Sequence, residues 1–303
     1  MNKTTKKRKR HPVEEEGEGE EGKGEEKQKS GTFDSRIKAL NTGKDDIPQC
    51  HVAQHKLVPE HPFRFMLSGA SGSGKSTVLL NLLTRFYVND DGSSYFDKIY
   101  AIGPTVKFDD LWKSLDLPED QLIDEIDEDS LNEVFEDQEA VIKGEGIAYA
   151  PRVCIVFEDI ITEDKFMRSK EFLKMFVMSR HYGISVMICT QSYTKVPRAC
   201  RLNCSNIVFF PSNVSEMTIL TDEYCPPRMH KKEFMQLMME ATTPDERDEY
   251  PFLYIDQPAK PNDRFRKTFN RSIRIGNKSK SSSWEKSINR RKGKGNVNDV
   301  PQL

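Results

Sequence analysis

Apolar residues along this chain fall into short, nearly unbroken runs that alternate with stretches of helical periodicity, and polar tracts flank the whole. Phe63-Arg64-Phe65-Met66-Leu67 is the first run and ends in a Gly/Ser-rich turn. Val78, Leu79, Leu82, Leu83 and Phe86 then recur at helical spacing, so Lys75 to Phe86 is predicted to be a helix. A second strand is expected at Asp97–Ile102, stopped by Gly103-Pro104, and Arg152–Phe157 reads as a strand buried on both faces. Phe166–Arg180 has the spacing of a helix, with Phe166, Phe172, Leu173, Phe176 and Val177 as its apolar positions and Gly183 as its stop. Ile184–Cys189, Asn206–Phe210 and Phe252–Ile255 are three further strand candidates. This β-then-α order predicts an α/β fold, a mainly parallel central sheet flanked by helices.

The ends and one internal segment depart from that pattern. Residues 1–32 begin with the basic cluster Lys6-Lys7-Arg8-Lys9-Arg10 and continue as a Glu/Gly/Lys tract with almost nothing to bury, which predicts a disordered tail. The cluster has the composition of a nuclear-import or nucleic-acid patch and equally that of an ordinary solvated tail. Residues 258–303 read as a flexible cationic arm; from 257 to 303 there are 13 basic and 3 acidic residues. The domain is therefore expected to span 33–257. Within it, 105–150 reads as an acidic helical insert, since Asp109 to Glu139 holds 14 acids against the single Lys113. The net charge of -2 hides this segregation. A mean hydropathy of -0.68 fits partial disorder, and no apolar run nears the ~18–20 residues of a membrane helix. No secretory leader is expected, because the start turns directly into charge. The six cysteines show no second pair or histidine at zinc-finger spacing, so reduced thiols are expected.

Candidate chemistry begins with Gly69-Ala70-Ser71-Gly72-Ser73-Gly74-Lys75-Ser76-Thr77, which fits G-x-x-x-x-G-K-[ST] and lies between a strand and a helix. In such a loop, glycines let successive N–H groups and the helix N-terminus point at nucleotide phosphates. Lys75 is expected to reach the β- and γ-phosphates, and the Ser76 hydroxyl to hold Mg²⁺. A nucleotide site also needs a metal-side acid and a group that organises water, and Val153–Phe157 runs into Glu158 and Asp159. By position Glu158 takes the metal side and Asp159 the base side, the reverse of the commoner order; both residue types can do either job. The third element is the strand that ends in Thr190-Gln191. If that strand lies between the P-loop strand and the carboxylate strand, its tip borders the γ-phosphate and Gln191 orients water or senses the phosphate. Arg201, and after it Arg198, are candidates for an arginine finger acting across a subunit boundary.

Taken together, F-M-L-S-G-A-S-G-S-G-K-S-T, C-I-V-F-E-D-I, R-H-Y-G-I-S-V-M-I-C-T-Q and P-R-A-C-R-L-N-C resemble the motifs of the poxvirus-type genome-packaging ATPases of the FtsK–HerA superfamily. These occur also in virophages and Polinton-like elements, and the likeness spans roughly residues 60–256. The resemblance implies a P-loop NTPase with additional-strand topology. It also implies an ATP- and Mg²⁺-dependent oligomer, ring-shaped, that pumps double-stranded DNA into a preformed capsid without reading its sequence. It assigns nucleotide binding to Gly69–Thr77, metal and water to Glu158-Asp159, the sensor to Gln191 and the finger to Arg201. Many members carry Asp-Asp or Asp-Glu where this chain has Glu158-Asp159. A capsid-protein partner and action in the cytoplasm or nucleus of the infected cell, with a place in the virion, follow from the same resemblance.

Two other classes stand beside the motor. A nucleotide-gated switch of the GTPase kind would need an Asn-Lys-x-Asp element, and the Asn-Lys pairs here are Asn2-Lys3 and Asn277-Lys278, neither followed suitably by Asp. A kinase would need an arginine-bearing lid and would leave Thr190-Gln191 unexplained. For a motor, the cationic tail supplies charge for phosphate contacts, Lys195, Arg198 and Arg201 line either a pore or the nucleotide site, and the acidic insert belongs on the outer surface, as a capsid-docking site or a merely solvated face.

Overall fold

In the computed structural model, which describes residues 57–126 and 128–274, the apolar runs become strands whose alternate residues enter two separate cores. Strand β4 (Val153–Glu158) shows this plainly. Val153, Ile155 and Phe157 face one side of the sheet, with Leu131, Phe135, Phe172, Phe176, Leu220 and Phe234. Cys154 and Val156 face the other, with Leu79, Leu83, Tyr87 and Trp112. A strand buried on both faces can carry no alternating polar positions, which is why its sequence is continuously apolar.

The P-loop strand is β1 (Arg64–Ser68), followed by helix α1 (Lys75–Asn81). Next come β2 (Lys98–Ile102), α2 (Asp110–Ser114), β3 (Leu122–Ile123) and α3 (Glu128–Glu145). After β4 lie α4 (Asp164–Met167), α5 (Lys170–Met178), β5 (Ile184–Thr190), α6 (Arg198–Asn203) and β6 (Asn206–Phe209). Helices α7 (Val214–Tyr224) and α8 (Lys231–Ala241) lead to β7 (Leu253–Asp256), β8 (Phe265–Lys267) and β9 (Arg271–Ser272). The sheet order is β3-β2-β4-β5-β1-β6-β7-β8-β9. From β3 to β6 neighbours are parallel, and from β6 to β9 they are antiparallel. Strand β5 therefore separates the P-loop strand from β4, the additional-strand topology on which the reading of Gln191 depended.

Two helix boundaries differ from expectation, each for a local reason. The helix after the P-loop is α-helical only to Asn81 and continues as a π turn over Leu82–Phe86, where the Tyr87 amide donates to the Leu82 carbonyl at 2.9 Å. The Phe166–Arg180 helix is broken at Ser169, whose hydroxyl caps α5 by accepting from the Phe172 amide at 3.1 Å. Leu173 and Val177 of that helix face solvent. Gly183 does stop the segment, with φ +64°.

The acidic insert is not an appendage: β3 pairs with β2 through Ala101–Leu122 and Ile102–Ile123, and Trp112, Leu131 and Phe135 are buried. Asp110 of α2 and Asp129, Glu133, Glu136 and Asp137 of α3 are exposed, while the insert's buried apolar residues join both cores. The domain also extends past 257. Phe265 and Arg266 are buried, with Arg266 donating to Asp256 at 2.7 Å, so part of the cationic arm is sheet. The basic cluster, the rest of 1–32 and the arm beyond 274 lie outside the described residues. No helix among the described residues is long and apolar enough to cross a membrane.

The entry to β1 is tied to the start of β5 by His61, whose Nδ1 lies 2.6 Å from the Ser185 hydroxyl. Burial, with Arg152 nearby, lowers its pKa from 6.5 to about 4. The unfolded chain thus takes up this proton first. Its contribution to stability is complete above pH ~6.5 and is lost as pH falls toward 4, by about 3 kcal/mol in all. Urea denaturation across that window is expected to show this loss in the native protein, and a His61→Gln variant is expected to lose correspondingly less.

Candidate active site

Backbone geometry in the P-loop follows from its glycines. Gly72 and Gly74 hold φ of +75° and +99°, the region open to glycine at little cost. Gly69 is needed for a different reason: a Cβ there would lie 2.5 Å from the Phe210 Cβ and 2.8 Å from the Ser73 hydroxyl. Its amide donates to the Thr190 carbonyl at 3.2 Å, which ties the start of the loop to the tip of β5. Ala70 and Ser71 form the exposed crown, and Thr77 lies on the open side of the first turn of α1.

Lys75 is buried and folds back over the loop, its Nζ donating to the Gly69 and Ala70 carbonyls at 2.9 and 3.0 Å. One residue on, the Ser76 hydroxyl is 3.4 Å from Glu158 Oε1, so the tip of β4 meets the start of α1. Glu158 is 5% exposed. Burial raises its pKa, the nearby Asp109 and Asp159 add to the rise, and hydrogen bonds from Trp112 and Ser76 oppose it. Asp159 adopts φ +49°, turning the chain sharply out of β4. Its amide donates to the Cys189 carbonyl at 3.1 Å, and its Oδ2 accepts from the Gln191 amide at 3.0 Å. The tips of β1, β4 and β5 thus bring Lys75, Ser76, Glu158, Asp159 and Gln191 together, joined by hydrogen bonds.

This donor set suits a magnesium nucleotide. The unpartnered buried polar atoms of the described residues include Ser73 Oγ inside the loop and Asp159 Oδ1 at the tip of β4. A Cβ on Gly72 would meet nothing within 4 Å. A lysine, a hydroxyl and a buried carboxylate are the groups that bind phosphate oxygens and a hard divalent cation.

Arg201 is held within its own chain. Its guanidinium is buried, donates to both oxygens of Glu223 at 2.6 and 3.2 Å and to the Val196 carbonyl at 2.6 Å, and stacks on Tyr193. A side chain held this way secures α6 to α7. Arg198 on the same helix is 72% exposed and lies 3.5 Å from Glu223, so it is the arginine available outward.

Three contributors escaped the sequence reading. The Trp112 indole donates to Glu158 Oε2, which leaves each oxygen of that carboxylate with one donor. Glu216 of α7 accepts from the hydroxyls of Ser192 and Ser212 at 2.6 and 2.5 Å, and so anchors the segment that follows Gln191. Gly103, read only as a strand stop, lets the tip of β2 approach β4: a Cβ there would lie 2.1 Å from the Glu158 carbonyl oxygen. Because that obstacle is backbone, Gly103→Ala is expected to lower stability by ~1–3 kcal/mol in denaturant titrations and to slow ATP turnover by displacing Glu158. An isolated tryptophan amid acids and a glycine at a strand tip were the available signals.

The sequence profile of the poxvirus A32 protein family matches residues 50–255. No curated protein sequence matches the chain. Among solved structures it is similar to the genome packaging NTPase B204 from Sulfolobus turreted icosahedral virus 2 in complex with AMP. That likeness has 13% identity and a TM-score of 0.44, over 64% of this chain and 92% of that one. The B204 DNA-packaging ATPase from Sulfolobus turreted icosahedral virus gives 11% identity and a TM-score of 0.43, over 65% and 93%. ATPases 2 and 3 of EssC from Geobacillus thermodenitrificans give 14% and 0.43, over 75% of this chain and 42% of that one. Matched by the family profile over more than half its length, and carrying the P-loop on its additional-strand sheet, the chain belongs to the poxvirus A32 protein family and is a P-loop ATPase.

Proposed function

We propose that the protein hydrolyses ATP to drive double-stranded DNA into a preformed capsid. The observation that carries this reading is the convergence of three strand tips, β1, β4 and β5, on one pocket in a chain of the A32 family. Lys75 leaves its two loop carbonyls for the β- and γ-phosphates, and the amides of Gly69–Thr77 cradle them. Ser76 and Glu158 would hold Mg²⁺, which when bound would supply charge neutralisation at the transferring group. Asp159 and Gln191 hold the attacking water. That water's oxygen bonds to the γ-phosphorus as the bond to the β–γ bridging oxygen breaks, and its proton passes to Asp159 and on to solvent; ADP and phosphate leave. Arg198, rather than Arg201, serves as the finger from an adjoining subunit of a ring.

A packaging motor holds DNA through phosphates, so its affinity should fall steeply with salt. The cationic residues of 257–303 supply such contacts. The exposed acids of α2 and α3 repel DNA and face a capsid protein. The site of action is the assembly zone of the infected cell, in cytoplasm or nucleus, and the protein can remain with the virion. Steady-state ATP hydrolysis measured with and without double-stranded DNA tests the proposal. Stimulation of several-fold, weakening as salt rises, is expected; identical rates with and without DNA would instead point to a switch or a kinase.

A further inference from the structure

The pocket has a direction along the sheet. Lys75, Ser76 and the carboxylates lie toward β5 and β4, which puts the terminal phosphate on that side of β1. The opposite flank is formed by β6 and by the segment entering β7. Strand β7 runs antiparallel to β6, so its beginning returns to the P-loop end of the sheet: Leu253 pairs with Phe209, and Phe209 with Ser68, the residue before the loop. Tyr250 stands three residues before Leu253. Its Cβ is 3.8 Å from where a Cβ on Gly74 would be, beside the Phe210 ring at 3.6 Å.

Tyr250 is nevertheless 62% exposed. Among the described residues its ring stacks on nothing and its hydroxyl has no hydrogen bond. The same flank holds an apolar cleft of about 260 Å³, lined by Val78, Asn81, Phe252, Thr268 and Phe269 among others and by no charged side chain. An aromatic ring left in water one residue's width from a phosphate loop, on the side away from the γ-phosphate, matches the remaining part of a nucleotide, its flat base. Stacking on such a ring gains from area burial and from the π face that every base offers.

We infer that Tyr250 is the base platform of the nucleotide site, the adenine ring stacking on its exposed face while the P-loop holds the phosphates. The inference rests on the ATP-binding reading above, and the two can fail separately. Isothermal titration of the full-length protein with Mg²⁺ and a non-hydrolysable ATP analogue, and in parallel with inorganic tripolyphosphate, distinguishes them. Tyr250→Ala is expected to weaken the analogue on the order of tenfold or more and to leave tripolyphosphate unchanged, which also shows that the variant is folded. Tyr250→Phe keeps the ring and is expected to bind the analogue like the native protein. Equal affinity of native and Tyr250→Ala proteins for the analogue would overturn the inference, as would equal weakening of both ligands. Lys75→Ala is expected to weaken both ligands. If it weakens neither, the P-loop reading fails, and the base platform with it.

Discussion

Lys75→Ala is expected to abolish ATP turnover, a loss on the order of 10²–10³-fold or more, with little change in thermal stability. The expectation follows from the side chain's position. Lys75 is buried at the foot of the P-loop, and among the described residues its Nζ donates to the carbonyls of Gly69 and Ala70. It joins no core cluster through its charged end, so its removal takes away a cation and no packing contact of size. The charge matters because phosphoryl transfer spreads negative charge over the γ-phosphate oxygens, and a preorganised cation acts where that charge develops. A phosphate-release assay checks the loss. Turnover unchanged from the native protein would mean that the Gly69–Thr77 loop is not the nucleotide site.

The second large effect is expected at Asp159, and it separates the two carboxylates. Asp159→Asn should lower hydrolysis by on the order of 10²–10⁴-fold while nucleotide affinity stays near the native value. Asparagine tolerates the left-handed backbone found at this position, φ +49°, and its side-chain carbonyl can still accept from Gln191, so the fold is not at issue. Glu158→Gln is expected to act differently, because Glu158 faces the Ser76 hydroxyl and is held by Trp112. Its signature is a raised Mg²⁺ requirement in the same assay. Binding by equilibrium titration and rate by phosphate release, measured together, assign one carboxylate to water and the other to the metal. Interchanged signatures would reverse the assignment.

The strands and the site loops were legible in the sequence because their determinants are local. Apolar runs such as Val153–Phe157 are buried on both faces and read as strands without help from context. The P-loop carries its own glycines, and Glu158, Asp159 and Gln191 each sit where an apolar run ends. What escaped depends on contacts between distant positions. Trp112 reaches Glu158 across 46 residues of chain, and nothing near Trp112 announces the partner. Arg201 looked free because Glu223, which binds it, lies 22 residues away on another helix. Strands β8 and β9 sit in a segment dominated by Lys, Arg, Asn and Pro; they form because Phe265 and the Arg266–Asp256 pair complete the antiparallel edge beside β7. The break at Ser169 is a capping event inside an otherwise helical spacing, and periodicity alone continues through it.

A structure of the protein with Mg²⁺ and a non-hydrolysable ATP analogue tests most directly whether three strand tips form one catalytic pocket. The expected density places the triphosphate in the Gly69–Thr77 loop, Lys75 released from the Gly69 and Ala70 carbonyls onto the phosphates, and the metal between Ser76 and Glu158. It also places Asp159 and Gln191 facing the terminal phosphate. A nucleotide bound elsewhere, or in the loop with Asp159 and Gln191 turned away from its γ-phosphate, would contradict the account.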